Sequence, residues 1–272
     1  MNEAILNRKG ARKVQDVPQE ILDLLHQGKI ETVNLTEWLA INHQTLIQQT
    51  FPALNLEEAI PVLIQKLTAQ KKPTSMNSTK IVGENLYTFC IEQNTLADTF
   101  KKLSSHRSDS IRCYAPFLIA FDESLSIAEK LDQAKNLVAD HHFGIREVVW
   151  IALRPEIEKN LAEAIKILTS WTKSEDENIR RFTTEATRPR GVWCKHIESL
   201  KEQPEQLLPI LEALKDDPAK YVQDSVGNWL NDASKTRPEF VIDLCSNWEK
   251  TSPSKNTQKI IKKAMRTINK KK

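Results

Sequence analysis

The chain has 272 residues, with 39 Lys+Arg against 36 Asp+Glu, a formal net charge of +3, and 40% hydrophobic residues. That length suits one large domain or two small ones, and the composition is that of a folded globular protein. Gly is scarce, roughly 2% against a usual ~7%, which disfavours folds that need many positive-φ turns and phosphate-cradling loops, such as doubly wound α/β proteins and β-sandwiches. Abundant Leu, Ile, Ala, Glu and Lys point to helices instead.

Met1–Arg12 has neither the apolar core nor the cleavage site of a signal peptide. Elsewhere no apolar run approaches the ~18 residues of a membrane span. Cys90, Cys113, Cys194 and Cys245 lie far apart without a C-x-x-C pair. They read as reduced thiols of a cytoplasmic protein, not as a metal site or disulfide framework. His141 and His142 are adjacent and cannot both face one metal from a regular helix. The expectation is therefore no metal and no cofactor.

In chain order, residues 1–20 are polar and irregular, a flexible arm. Asn34–Ala40 reads as a helix start, capped by Asn34 or Thr36. Residues 57–68 form an apolar-periodic helix. The Ser/Thr-rich stretch 73–80 reads as a loop or linker. Helical patterns fill most of 84–104, 111–122 and 124–139.

The second half repeats itself. Asp109-Ser110-Ile111-Arg112-Cys113-Tyr114-Ala115 is echoed by His142-Phe143-Gly144-Ile145-Arg146-Glu147-Val148 and by Glu177-Asn178-Ile179-Arg180-Arg181-Phe182-Thr183. It returns around Val222 and, weakly, Ile261, so anchors 111, 145, 179, 222 and 261 stand 34, 34, 43 and 39 residues apart. One helix pair per ~40 residues is the spacing of HEAT-like repeats, whose pairs stack into an α-α superhelix with a concave surface. The fold class expected is all-α, with a helical-repeat domain over 21–250, clearest over 105–250, and a final helix with a basic tail over 251–272. Ser174-x-x-Glu177 reads as a capping box, and Asp217-Pro218 as an N-cap followed by a first-position proline. From Lys250 to Lys272 there is no Asp or Glu; such an end either attracts phosphates or serves as a solubilising tail.

Two repeat helices carry carboxylates off their apolar faces. At ~100° per residue, Glu185 lies roughly 110° from the centre of the face made by Ile179, Phe182, Thr183 and Ala186. Asp232 lies roughly 95° to the same side of the face made by Val222, Val226, Trp229 and Ala233. Equal angles on equivalent helices of a solenoid lead to one surface, so the two can share a groove. Arg188 and Arg190 flank Pro189 at a helix exit and suit bidentate phosphate contact. Trp193 can stack on a base or a sugar. Asn228 and Asn231 share a polar face with Lys235, a set able to bind water or phosphate oxygens. Simpler readings stand beside these: Glu185 paired with Arg188 or Arg181, Asp232 bonded to the following turn through Ser234, and Trp193 in the core. Trp38, Trp150, Trp171, Trp229 and Trp248 read as packing.

The string Glu185-Ala186-Thr187-Arg188-Pro189-Arg190-Gly191-Val192-Trp193, followed by Asn228-Trp229-Leu230-Asn231-Asp232, resembles the HEAT-like-repeat DNA alkylation repair glycosylases of the AlkC/AlkD superfamily, and the AlkC branch more closely. The likeness covers 140–250, with a weaker one over 25–70. It implies a cofactor-independent, monomeric glycosylase that hydrolyses the N-glycosidic bond of cationic alkylated bases, the 3-methyladenine class, in double-stranded DNA. It further implies that Glu185 and Asp232 stabilise the sugar cation and activate water, that Trp193 packs beside the lesion, and that Arg188 and Arg190 hold the backbone. The AlkC pattern carries a further acidic residue one repeat earlier, where this chain has Trp150, with Glu147 one turn away. Two alternatives are a DNA-binding protein of the same fold without chemistry, directed to branched or distorted DNA, and a helical-repeat scaffold for protein partners.

Overall fold

The computed structural model describes residues 3–71, 73–192 and 194–270, and every regular element among them is helical. Caps set many of the helix starts. The side chains of Asn34, Asn42, Thr74, Ser126 and Ser254 each accept the backbone N–H three residues on, satisfying one of the donors a helix leaves open at its beginning. Thr74 starts the helix Ser75–Glu92, so the segment 73–80 is a cap and first turn, not a linker. The other two cap expectations shift. Asp176, not Ser174, caps Glu177–Glu185, its Oδ1 accepting Asn178 N–H at 2.7 Å. Asp217 accepts Ala219 N–H at 2.9 Å in a turn just ahead of Lys220–Ala233.

The helices group into two compact units, residues 1–125 with 140–152, and residues 126–139 with 153–272. In the first unit the expected arm is tied down where described: Arg8 bonds the Glu37 carboxylate at 2.6 and 2.9 Å and the Glu31 carbonyl at 2.7 Å. Gly83 lets Ser75–Glu92 cross close to Ala115–Phe121, because a Cβ there would stand 2.4 Å from the Phe117 Cβ.

The anchor residues Ile111, Ile145, Ile179 and Val222 are buried. The polar residue after each does the same job in every repeat. Arg112 donates to the carbonyls of His106 and Arg107 (2.7 and 3.0 Å), and Arg146 to those of Asp140 and His141 (2.7 and 2.8 Å). Arg180 donates to those of Ser174 and Glu175 (both 2.8 Å), and Gln223 to those of Asp217 and Pro218 (2.8 and 3.3 Å). Each reaches back six and five residues, closing the loop that leads into its own helix. Two of them also fork onto the next repeat's aspartate, Arg112 onto Asp140 and Arg180 onto Asp217. The sequence period is therefore a period of loop closure, with Gln223 replacing the arginine.

The tryptophans outside the motif loop are core, as their apolar spacing predicts: Trp229 and Trp248 are fully buried, and Trp38, Trp150 and Trp171 nearly so. One buried group makes the first unit acid-sensitive. His43 is 6% exposed, with its Nδ1 2.7 Å from the Tyr114 hydroxyl. Burial first, then the nearby His26, pushes its pKa down to about 4. The unfolded chain, with an ordinary histidine near 6.5, binds the extra proton between these values. The contribution is thus complete above pH ~6.5 and is lost as pH falls to ~4, about 3 kcal/mol at most. A His43→Gln variant is expected to flatten the fall in urea midpoint between pH 7 and 4.5. An unchanged fall would show that other groups carry it.

Candidate active site

The helix Glu177–Glu185 buries Ile179, Phe182, Thr183 and Ala186 and stops where Pro189 forbids continuation. Its open carbonyls find partners across the second unit. The Trp229 indole N–H donates to the Thr187 carbonyl at 2.8 Å. Arg154, 2% exposed, donates to the carbonyls of Ala186 and Lys195, both at 2.9 Å, and to that of Arg188. The Ile197 N–H bonds the Pro189 carbonyl at 3.1 Å and shuts the loop. Gly191 is required inside it: a Cβ would lie 2.1 Å from the Cys194 sulfur and 3.2 Å from Arg154 Cζ.

This loop delivers Arg188 between the two carboxylates. Its Nη1 meets Glu185 Oε1 at 3.0 Å, and its Nε and Nη2 meet Asp232 Oδ2 at 2.8 and 2.7 Å. Glu185 Oε2 accepts the Ser225 hydroxyl at 2.7 Å and lies 3.5 Å from Arg181. Asp232 Oδ1 accepts Lys235 Nζ at 2.9 Å. Thus residues 47 positions apart share one guanidinium, and Glu185 and Asp232 are 5% and 3% exposed. Burial alone would raise the Glu185 pKa. The charges of Arg181 and Arg188, with the Ser225 hydroxyl, outweigh it and hold the carboxyl below its ordinary value. Burial likewise opposes the charge on Arg188, and the two carboxylates prevail and raise its pKa. Arg181, Arg188 and Lys235 thus border the two carboxylates.

The remaining expected site residues fall around this centre. Arg190 Nη2 donates to the Thr236 hydroxyl at 2.8 Å. Asn228 is half-buried and its side chain has no hydrogen-bond partner among the described residues. Asn231 faces away, its amide donating to the Thr267 hydroxyl at 3.0 Å and accepting from the Thr267 N–H and hydroxyl. Ser234 bonds the Asn231 carbonyl, not Asp232. Trp193 lies outside the described residues. In the preceding repeat the Trp150 indole N–H donates to Glu147 Oε2 at 2.9 Å, so this carboxylate is turned along its helix instead of standing free in solvent.

Arg181, one of the two partners the sequence offers for Glu185, also stacks over the Tyr221 ring, 4.5 Å from its centroid. Sequence reasoning missed Arg154, and a signal for it exists: Arg154-Pro155 precedes Arg188-Pro189 by 34 residues, the spacing of anchors 145 and 179. Both arginines reach into the following repeat, one to carbonyls and one to Asp232.

Residues 148–267 match the family described as DNA alkylation repair enzyme. That match spans the segment that carries Arg154, Glu185, Arg188 and Asp232. Over 120 residues the chain is 42% identical to the uncharacterized protein YhaZ of Bacillus subtilis (strain 168), a match covering 44% of this chain and 33% of that protein. The chain thus matches a third of that relative's length. Among solved structures it resembles the Pseudomonas fluorescens alkylpurine DNA glycosylase AlkC bound to DNA containing an abasic site analog, with TM-score 0.64 and 21% identity over 96% of this chain and 66% of that one. It also resembles AlkD2 from Streptococcus mutans, with TM-score 0.60 and 24% identity over 77% of this chain and 97% of that one. At such identities the likeness establishes a shared helical-repeat fold. Among the described residues no helix is long and apolar enough to cross a membrane.

Proposed function

We propose that the protein is a monomeric, cytoplasmic DNA glycosylase that releases cationic alkylated bases of the 3-methyladenine class from duplex DNA. The observation that carries this is the meeting of Glu185 and Asp232, from successive repeats of the family-matched segment, on the single guanidinium of Arg188. Alkylation places positive charge on the base and weakens its bond to C1′. As that bond breaks, its electron pair leaves with the base and the sugar becomes oxocarbenium-like. An ionised carboxylate stabilises the cation, and one carboxylate orients water for attack on C1′ and takes its proton. The depressed pKa of Glu185 keeps it ionised at neutral pH. No step needs a metal or cofactor. Arg188 closes the pair in the free protein, and a backbone phosphate of the bound duplex competes for the same guanidinium, opening the carboxylates to the sugar. In this reading Arg190, Asn228, Lys235 and Trp193 border the duplex, while Asn231 holds the far end of its helix through Thr267. That AlkC is an alkylpurine glycosylase seen on abasic-site DNA supports the choice of substrate and partner.

The test is release of free 3-methyladenine from methylated duplex DNA, followed by chromatography. Release above that from a no-enzyme control is expected. A second reading, DNA binding without excision, is favoured by the burial of both carboxylates in ion pairs and by Trp150 where an acid is expected. Salt-sensitive duplex binding with no base release would select it.

A further inference from the structure

The C-terminal helices Lys255–Ala264 and Arg266–Asn269 carry a row of cations that the site above does not use. Lys259, Lys263, Arg266 and Lys270 are spaced by four, three and four residues, so they fall on one side of the helical path. Lys263 fixes where that side points. Its stem lies over Gly227, where a Cβ would stand 2.8 Å from the Lys263 Cβ, and its ammonium reaches Asp224. Asp224, Asn228 and Asp232 form a single four-residue row along Lys220–Ala233. The far end is stitched by the Asn231–Thr267 bonds. The cationic row therefore runs alongside the helix that brings Asp232 to the site, in the same unit. Lys259, Arg266 and Lys270 are exposed and have no acidic partner among the described residues.

We propose that this row tracks the phosphodiester backbone of the duplex beside the lesion and supplies sequence-independent affinity; the proposal rests on the DNA-repair reading above. Eleven residues of helix rise about 16 Å, a length over which one DNA strand, at 3.4 Å per phosphate along the axis, offers about five charges. Lys259, Arg266 and Lys270, which have no acidic partner among the described residues, repel one another in the free protein and are relieved by phosphate. The competing role, a solubilising end to the helical stack, needs no such alignment with the Asp232 helix.

The test compares binding of an undamaged duplex across a salt series. The triple variant Lys259→Gln/Arg266→Gln/Lys270→Gln leaves Lys263 and its packing intact. It is expected to fold as wild type by circular dichroism and to lower the slope of log K against log salt by roughly 2 to 3, about 0.9 per lost contact. A control triple, Lys29→Gln/Lys66→Gln/Lys101→Gln, removes equal charge from exposed positions of the first unit and is expected to leave the slope unchanged. An unaltered slope in the first triple, or an equal fall in both, overturns the proposal. If wild type releases no base yet the triple loses slope, the catalytic reading fails and the backbone track stands.

Discussion

Asp232→Asn and Glu185→Gln are each expected to lower base release by at least ~10²-fold while duplex affinity stays within a few-fold of wild type. The size follows from what is removed. A preorganised charge facing a developing charge in a water-poor site is worth about 10²- to 10³-fold in rate, and the amide keeps the shape while losing the charge. Each carboxylate is also a structural partner of Arg188, so some stability is lost with it. Leaving a half-buried guanidinium short of one charged partner costs ~1–3 kcal/mol. The two effects separate experimentally: single-turnover release is measured at a temperature where circular dichroism shows both variants folded. Loss of release in the folded state assigns chemistry to the pair. Release within about threefold of wild type, with only the melting temperature lowered, assigns it to architecture and favours binding without excision.

Glu185 and Asp232 converge on Arg188 because a helix face is a local property. Residues 179 to 186 and 222 to 233 each fix an apolar stripe, and a side chain's angle from that stripe survives folding. What the angles could not say is which group fills the space between two helices. Arg188 is three residues from Glu185 and 44 from Asp232, and only the fold reveals that it serves both. Asn231 shows the reverse. On the helix wheel it belongs with Asn228 and Lys235, yet the neighbouring helix supplies Thr267 and takes its amide. A polar face next to another helix is not a solvent face, and sequence alone does not mark where the neighbour lies.

The repeats were legible for a similar reason. An apolar anchor followed by Arg or Gln encodes a closure that spans only six residues, so the pattern and the hydrogen bonds coincide at 112, 146, 180 and 223. Cap positions were less legible where several polar residues compete. Ser174, Glu175 and Asp176 all precede the same helix, and the choice of Asp176 depends on where Arg180 pulls the loop.

Arg154→Met is expected to cost about 3 kcal/mol or more, because three carbonyls lose a donor at ~1–3 kcal/mol each, and to lower base release even in the fraction that folds. The guanidinium is buried with no carboxylate bonded to it among the described residues; burial depresses its pKa, only partly opposed by Cys194, Glu158 and Glu185. Among the described residues its bonding partners are three peptide carbonyls. Removing it leaves acceptors at Ala186, Arg188 and Lys195 without a donor, each worth ~1–3 kcal/mol when sealed from water. Arg154→Lys keeps the charge but not the planar fork, so it is expected to restore part of the stability and less of the loop geometry. Hydrogen exchange separates these outcomes. Loss of protection is expected at Ile197 N–H, which closes the loop on Pro189, while the N–H groups of Arg180 and Val222, bonded to the carbonyls of Asp176 and Ala219, keep theirs. Base release should follow Ile197 protection across wild type, Lys and Met, because the loop positions Arg188 and with it the carboxylate pair. Full Ile197 protection in Arg154→Met, with release unchanged, would mean that the loop holds its shape without the buried arginine.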